Sequence, residues 1–320
     1  MSNLIGNRFR VLVFGQSHAP SIGAVIEGLP AGFAPDWDAV SAFMARRAPG
    51  GSALSTARRE ADAPEILSGL NERGETCGAP LAMRIVNGDA RSRDYEKLRD
   101  VPRPGHADYP ASVKFAGHND IRGGGQFSGR LTAPLCFAGA LAMQLLAREG
   151  VRVRAHIAQI EDVFDAPMDF AKPNLDAIAG EGLPVMDSAA GARMERAILQ
   201  AKAEGDSVGG VIECFAAGLP AGLGEPMFDG VENRLARALW HSRRARRGIR
   251  RGLRRGRDAR QRAQRRVPRG GRPRGYGDQP ARRHSGRHHD RHAHHRARGD
   301  QAHAVHCENA GKRVPFPKRK

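Results

Sequence analysis

Three features of the sequence predict an α+β fold. Short apolar runs of strand type and longer helical stretches are mixed along the chain without a regular βαβ alternation. The strand-like runs are bounded by Gly and Pro turns, whereas the helical stretches are stopped by Pro49-Gly50, Gly150 and Gly205, the first of them capped by Asp36. The chain has 320 residues, enough to bury the core of one large or two ordinary domains.

The elements follow in order. Residues 9–14 (FRVLVF) form a β-branched apolar run ending at Gly15 and predict a buried strand. A second strand follows in SIGAVIEG, with a turn over Gly28-Leu-Pro-Ala-Gly32. Asp36 is placed to cap the helix WDAVSAFMARRA, in which Val40, Phe43 and Met44 recur at helical spacing until Pro49-Gly50 stops it. Residues 79–90 (APLAMRIVNGDA) predict another strand and turn, and residues 130–150 a long apolar helix closed by Gly150. Residues 151–163 (VRVRAHIAQIEDV) are strand-like, and residues 190–205 are an amphipathic helix stopped by Gly205. GVIECFAAGLPAG at 210–222 then repeats the texture of GAVIEGLPAG at 23–32, a hint of internal duplication.

The formal charge of +18 points toward nucleic acid, but that average misleads. Residues 241–320 hold 27 Lys/Arg against 5 Asp/Glu, and the first 240 residues hold 25 against 29. The first three quarters are mildly acidic, and all the basicity lies at the end. The start MSNLIGNRFRVLVFG lacks a charged segment followed by an apolar one, so no secretory signal is expected. No uninterrupted apolar run reaches the ~18 residues of a membrane span, so no membrane is expected either. Cys77, Cys136, Cys214 and Cys307 are far apart and unpaired in CxxC motifs, which predicts reduced, mostly buried thiols in a cytoplasmic protein and no metal site.

Three segments are dense in residues suited to anion chemistry. GQSHAPSIG (15–23) places His18 after a strand. Its likeness to a GxSxG nucleophile elbow at Ser17 fails on Ala19 and on Pro20, which opposes the helix such an elbow needs. ARRAPGGSALSTARRE (45–60) carries paired arginines at a helix end, whose planar forks suit carboxylate or phosphate, although taken alone the segment reads more readily as a solvated basic surface. In residues 103–134, His106 sits in a Pro/Gly-rich turn beside Asp108 and Tyr109. Arg122-Gly-Gly-Gly125 then leads through Gln126, Phe127 and Ser128 to Arg130 and a helix. A glycine-rich loop opening a helix offers N–H groups to an anion, but this one matches neither GxxxxGK[ST] nor GxGxxG.

Taken together, GQSHA, RRAPG, PRPGHADY and RGGGQFSGRLTAP, in this order and spacing, resemble the chorismate synthase family. DARSRDYEKLRDV (89–101) and DSVGGVIECFAAGLPAGLGEP (206–226) extend the resemblance over about residues 5–240. It implies helices packed between antiparallel sheets, and a carbon–oxygen lyase. That lyase converts the small-molecule substrate 5-enolpyruvylshikimate 3-phosphate to chorismate and phosphate by 1,4-elimination, in the shikimate pathway to aromatic amino acids. It further implies reduced FMN as cofactor, NADPH as a reductant in some members, and a homotetramer. By the same resemblance His18 protonates the leaving phosphate and His106 acts toward the reduced flavin. Arg47 binds an anion, in some members NADPH, while Arg130 binds substrate, and Gln126, Phe127 and Ser128 contact FMN. The sequence departs from the family at Gln16, usually Glu, at Ala19-Pro20, usually Gly, and at Pro110, commonly Thr. These changes bear on the shape of the His18 loop.

The resemblance stops at Leu239-Trp240. It sets a boundary between an incomplete catalytic domain, 1–240, and an Arg/His-rich tail, 241–320. Apart from Ala, that tail holds few apolar residues, among them Ile249, Leu253, Val267, Tyr276, Val305, Val314 and Phe316. Burying them cannot offset roughly 1–2 kcal/mol per residue of backbone ordering, so the tail is expected to be disordered. His288, His289, His292, His294 and His295 lack the scaffold and spacing of a structural zinc site. The Arg runs would bind nucleic acid through charge alone, without specificity.

A shifted reading frame explains composition and junction together. A family string AIKPTPSI in GC-rich codons reads, one base out of step, as Asp-Gln-Ala-His-Ala-Val-His, the sequence at 300–306. Gly-Ile-Thr-Thr-Gly-Met-Pro similarly shifts to RHHDRHAH, the sequence at 287–294. On this reading the chain lacks about the last third of the family's fold, and its activity is impaired. The alternative is an inactive fragment whose basic tail binds nucleic acid non-specifically.

Overall fold

The computed structural model describes residues 3–50, 54, 61–88, 101–103, 106–169, 174, 176, 178, 182–239, 246–251 and 301–308. It is an α+β arrangement of two five-stranded antiparallel sheets with helices packed against them. The first sheet is built from β1 (Leu4–Ile5), β2 (Arg10–Gly15), β3 (Ser21–Glu27), β4 (Glu65–Ser68) and β5 (Leu81–Val86), in spatial order β1-β2-β3-β5-β4. The second sheet takes β6 (Arg152–Ile160), β7 (Val163–Phe164), β8 (Gly210–Leu219), β9 (Arg246–Arg251) and β10 (Gln301–Glu308), in order β7-β6-β8-β10-β9. The helices are α1 (Trp37–Arg47), α2 (Asp108–Lys114), α3 (Thr132–Arg148), α4 (Ser188–Ala203) and α5 (Val231–Leu239).

The core lies where α1 and α3 cover one face of the first sheet. Val11, Ile22, Ala24, Ile26, Leu81, Met83 and Ile85 point from β2, β3 and β5 at Val40 and Met44 of α1 and at Phe137 and Leu141 of α3. The period-2 alternation of β5, with Leu81, Met83 and Ile85 buried and Arg84 and Val86 exposed, follows from one face being covered. Each such buried side chain contributes about 1.5–3 kcal/mol relative to an exposed one. β2, expected to be buried, is covered on one face only, since Leu12 and Phe14 point outward.

Local signals place the helices as read. The Asp36 carboxylate accepts from the N–H of Ala39 (2.9 Å), and α1 ends where Ala48, before Pro49, leaves the helical region. Together with the preceding turn, Gly129–Arg148 is long and apolar enough by composition to cross a membrane. In this fold its apolar residues Ala133, Phe137, Ala138, Ala140 and Leu141 are buried in the core. α3 also meets β6, linking the two sheets.

β3 and β8, the two segments of similar texture, are each the middle strand of their sheet. Several elements lacked a sequence signal: β4, α2, α5, and the two-residue β1 and β7. Pro110 falls in the first turn of α2, where a missing N–H costs nothing. The cysteines are more open than expected, with Cys77 exposed and Cys136 and Cys214 half-buried. Of the stretch 241–320, only β9 and β10 are described, as backbone strands paired to each other and through β10 to β8. The rest of the expected disordered tail, with the histidine cluster, lies outside the described residues, as do Arg58 and Arg59.

Candidate functional site

The site forms where the β2–β3 hairpin loop meets the glycine turn before α3. Ser17 N–H donates to the carbonyl of Gly125 (3.1 Å), which clips the hairpin loop onto the turn. The turn spans Arg122–Phe127, and Gly123, Gly124 and Gly125 have φ of 59°, 85° and 53°. Three consecutive left-handed residues are strongly disfavoured for anything but glycine. The space decides it as well. A Cβ at Gly123 would lie 2.3 Å from His18 Nδ1 and 2.5 Å from Ser17 Oγ, and one at Gly124 would lie 2.8 Å from His106 Cε1. Neighbouring glycines therefore each carry one of the two candidate histidines. The triglycine leads through Gln126, Phe127 and Ser128 toward the helix in the order read from the sequence. Ser128 intervenes, its Oγ accepting from Arg130 N–H (3.2 Å), and a second 3-10 turn, Gly129–Leu131, precedes α3. Gln126, Phe127 and Ser128 are half-buried beside the glycines.

Asn87, just after β5, holds the His18 loop from below. Its Nδ2 donates to the carbonyls of Gln16 (3.2 Å) and Ala19 (2.7 Å), its N–H donates to Pro20 O (3.0 Å), and its Oδ1 accepts from Arg130 Nε (3.1 Å). Ala19 is not among the residues with positive φ, so replacing the family's glycine there imposes no strain. Ser17 is 1% exposed and is followed by a turn and a strand, not the helix of a nucleophile elbow.

His106 is set by an ionic turn. Arg103 donates to Asp108 Oδ2 through Nε (2.8 Å) and its backbone N–H (3.1 Å) and to Oδ1 through Nη2 (2.9 Å), while His106 Nδ1 lies 2.5 Å from that same Oδ1. The Arg103 hydrogen bond is the main cause holding the Asp108 pKa down to about 2 against burial, with the His106 charge adding to it. Asp120, paired with Arg122 (2.9 Å), is likewise held below the carboxylate range, chiefly by that side-chain bond against burial, with a smaller contribution from His18.

Of the arginine pair closing α1, Arg46 is exposed and stacks on Phe43, whereas Arg47 turns inward. Arg47 and Arg130 share one carboxylate: Asp62 bonds Arg47 Nη1 through Oδ2 and Arg130 Nη1 through Oδ1. Both Asp62 and Arg130 are buried. Sequence reasoning missed Asp62, Asn87 and Arg103. The one available signal for Asp62 was electrostatic: two inward arginines need a counter-charge.

Comparison of the chain with known proteins points to one family. The chorismate synthase family model matches residues 9–264, running past the expected end at 240. The chain belongs to the chorismate synthase family. A chorismate synthase of Lancefieldella parvula is 39% identical over 75% of this chain and 66% of its own length. One from Korarchaeum cryptofilum is 43% identical over 74% and 65%, and one from Aeropyrum pernix 46% over 73% and 62%. A chorismate synthase crystal structure superposes with a TM-score of 0.60 at 25% identity, covering 77% of this chain and 69% of that one. The match thus spans just under two thirds of these chorismate synthase relatives.

Proposed function

We propose that this part of the chain is the anion-binding and proton-donating side of a chorismate synthase site. The reaction is loss of phosphate from 5-enolpyruvylshikimate 3-phosphate by 1,4-elimination. The observation that carries the reading is the placing of His18 and His106 over adjacent glycines, beside an Arg47–Arg130 pair. A substrate with two carboxylates and a phosphate calls for fixed arginines, and a departing phosphate for a proton donor. Histidine, with an ordinary pKa near ~6.5, meets the second need at neutral pH. In this reading His18 protonates the phosphate oxygen as the C–O bond breaks, and Arg47 and Arg130 hold the anionic groups.

The residues present suit a flavin. The triglycine turn seats His18 and His106 against bare backbone, and Gln126, Phe127 and Ser128 flank it half-buried, where their side chains and N–H groups would meet the cofactor. Bound there, reduced FMN would supply electron density for C–O cleavage; the chain's residues orient and protonate. NADPH as reductant, a homotetramer and a cytoplasmic location belong to the same proposal.

The tail is proposed to be an out-of-frame reading of the family's C-terminal part. Resequencing the coding DNA around the Leu239-Trp240 codons tests this. A frame that spells Gly-Ile-Thr-Thr-Gly-Met-Pro and AIKPTPSI supports it; the absence of any such frame refutes it. The purified chain is expected to release phosphate slowly or not at all with reduced FMN. Turnover at the ordinary rate of intact relatives would refute the impairment. The chain translated in the repaired frame is expected to be active, and to lose that activity in His18→Ala. An inactive repaired chain would sink the enzymatic reading.

A second reading rests on the 27 Lys/Arg against 5 Asp/Glu beyond residue 240. An RNA-binding tail predicts salt-sensitive RNA affinity that disappears on deleting residues 241–320.

A further inference from the structure

Asp62 sits where two arginines from different parts of the chain converge. Arg47 comes from the last turn of α1 and Arg130 from the 3-10 turn before α3. Each takes a different oxygen of the Asp62 carboxylate through its Nη1. The Asp62 side chain is 0% exposed, that of Arg130 3% and that of Arg47 21%. A buried guanidinium is tolerated only when paired, so Arg130 depends on this carboxylate. Arg47 has other contacts, to Gly129 O and Thr132 Oγ1, but both are 3.4 Å long and weak. Asp62 is its main anchor.

Asp62 also has φ of 48°, a left-handed value that aspartate and asparagine tolerate better than other side chains. The backbone at 62 is therefore turned so that a short acid reaches between the arginines. From Arg130 the connection continues: Nε to Asn87 Oδ1, and Asn87 Nδ2 to the carbonyls of Gln16 and Ala19 on either side of His18. One carboxylate against two guanidiniums leaves a surplus of one positive charge, which suits an arriving anion.

We propose that Asp62 is a positioning residue: it preforms Arg47 and Arg130 as one oxyanion-binding pair and, through Arg130 and Asn87, sets the His18 loop. This rests on reading the two arginines as anion ligands. The opposite role, an internal anion that competes with substrate for the arginines, predicts the reverse effect of removing the charge.

Asp62→Asn separates the two. Asparagine has the same shape and tolerates the left-handed backbone, so the substitution removes only the charge and one acceptor. It adds one unit of positive charge to the site, which by itself would tighten anion binding. The positioning role instead predicts about tenfold weaker binding of inorganic phosphate, measured by calorimetry on the full chain, with the thermal unfolding midpoint recorded separately. Asp62→Glu keeps the buried charge but displaces both guanidiniums. It is expected to weaken phosphate about threefold, between wild type and Asp62→Asn, and it answers the question even if the Asn variant is unfolded. Unchanged or tighter phosphate binding in either folded variant overturns the positioning role. If the wild-type chain itself binds no phosphate, the anion-site reading fails, and the inference fails with it.

Discussion

His18 and Gly123 approach so closely that only a hydrogen fits between them: a Cβ at 123 would lie 2.3 Å from Nδ1 and 2.4 Å from Cε1 of the imidazole. The neighbouring Gly124 stands in the same relation to His106, with 2.8 Å to Cε1 and 3.1 Å to Nε2. Gly123→Ala should therefore push His18 aside, and Gly124→Ala His106, each adding roughly 1–2 kcal/mol of left-handed backbone strain. NMR of the two imidazoles in each variant tests the pairing. The expected result is a selective shift of His18 in one and of His106 in the other. Equal shifts of both histidines in both variants would show that the turn moves as a unit.

Removing the Asn87 side chain should loosen the same site from the opposite side. Asn87→Ala breaks the side-chain bonds to Gln16 O, Ala19 O and Arg130 Nε, leaving partly buried groups unsatisfied. The expected loss is about 1–3 kcal/mol of stability, read from denaturant midpoints, with faster amide exchange at residues 16–20. Exchange at those residues equal to wild type would show that the hairpin holds its shape without Asn87.

Asp108 gives an acid-side prediction. Its pKa of about 2 in the folded chain lies below the ordinary 3.8, with the Arg103 hydrogen bond as the main cause. Its contribution is therefore fully present above about pH 4 and is lost as the pH falls toward 2, on the order of 2 kcal/mol in all. Asp108→Asn should lower stability at neutral pH and flatten the pH dependence between 4 and 2. An unchanged acid limb in that variant would mean that other carboxylates carry it.

The second sheet holds a buried ionic cluster that no local sequence signal announces. His156, 1% exposed, lies between Asp165 (Nδ1, 2.7 Å) and Glu213 (Nε2, 3.1 Å), and Asp165 also accepts from the N–H groups of Met186 and Asp187 before α4. Burial pulls the His156 pKa down, but the bonds to Glu213 and Asp165 outweigh it, so the net direction is upward. The histidine's stabilising contribution is then complete below its ordinary 6.5 and is lost as the pH rises through the higher folded value. His156→Leu leaves two carboxylates buried without their cation and should cost about 3–5 kcal/mol. Denaturation from pH 5 to 9 should show the wild type losing stability toward the alkaline side while the variant does not.

Much of the architecture was legible because it is local. Asp36 caps α1 and Gly150 and Gly205 follow α3 and α4, since a cap or a left-handed stop depends on residues within one turn. β4 and α2 were not legible. Glu65–Ser68 has only four residues, and Asp108–Lys114 is a seven-residue helix with Pro110 in its first turn and no side-chain cap. At the site, His18, His106, Arg47 and Arg130 were named from a resemblance, and the fold brings them together in two pairs, the histidines over Gly123 and Gly124 and the arginines at Asp62. Nothing local marks Asp62 or Asn87, because each acts through partners far away in the chain.

By itself, then, the sequence determined the helices and strands with strong periodicity, the glycines that must turn left-handed, and the division between an acidic chain and a basic end. Those follow from short-range sterics, hydrophobic period and charge counting. Only the tertiary structure decided that Asp62 lies between Arg47 and Arg130, that adjacent glycines carry two histidines, and that His156 is enclosed by Asp165 and Glu213. The physical reason is that a buried ion pair or a side chain seated on bare backbone is fixed by packing between distant segments, and that packing leaves no periodicity in either segment alone.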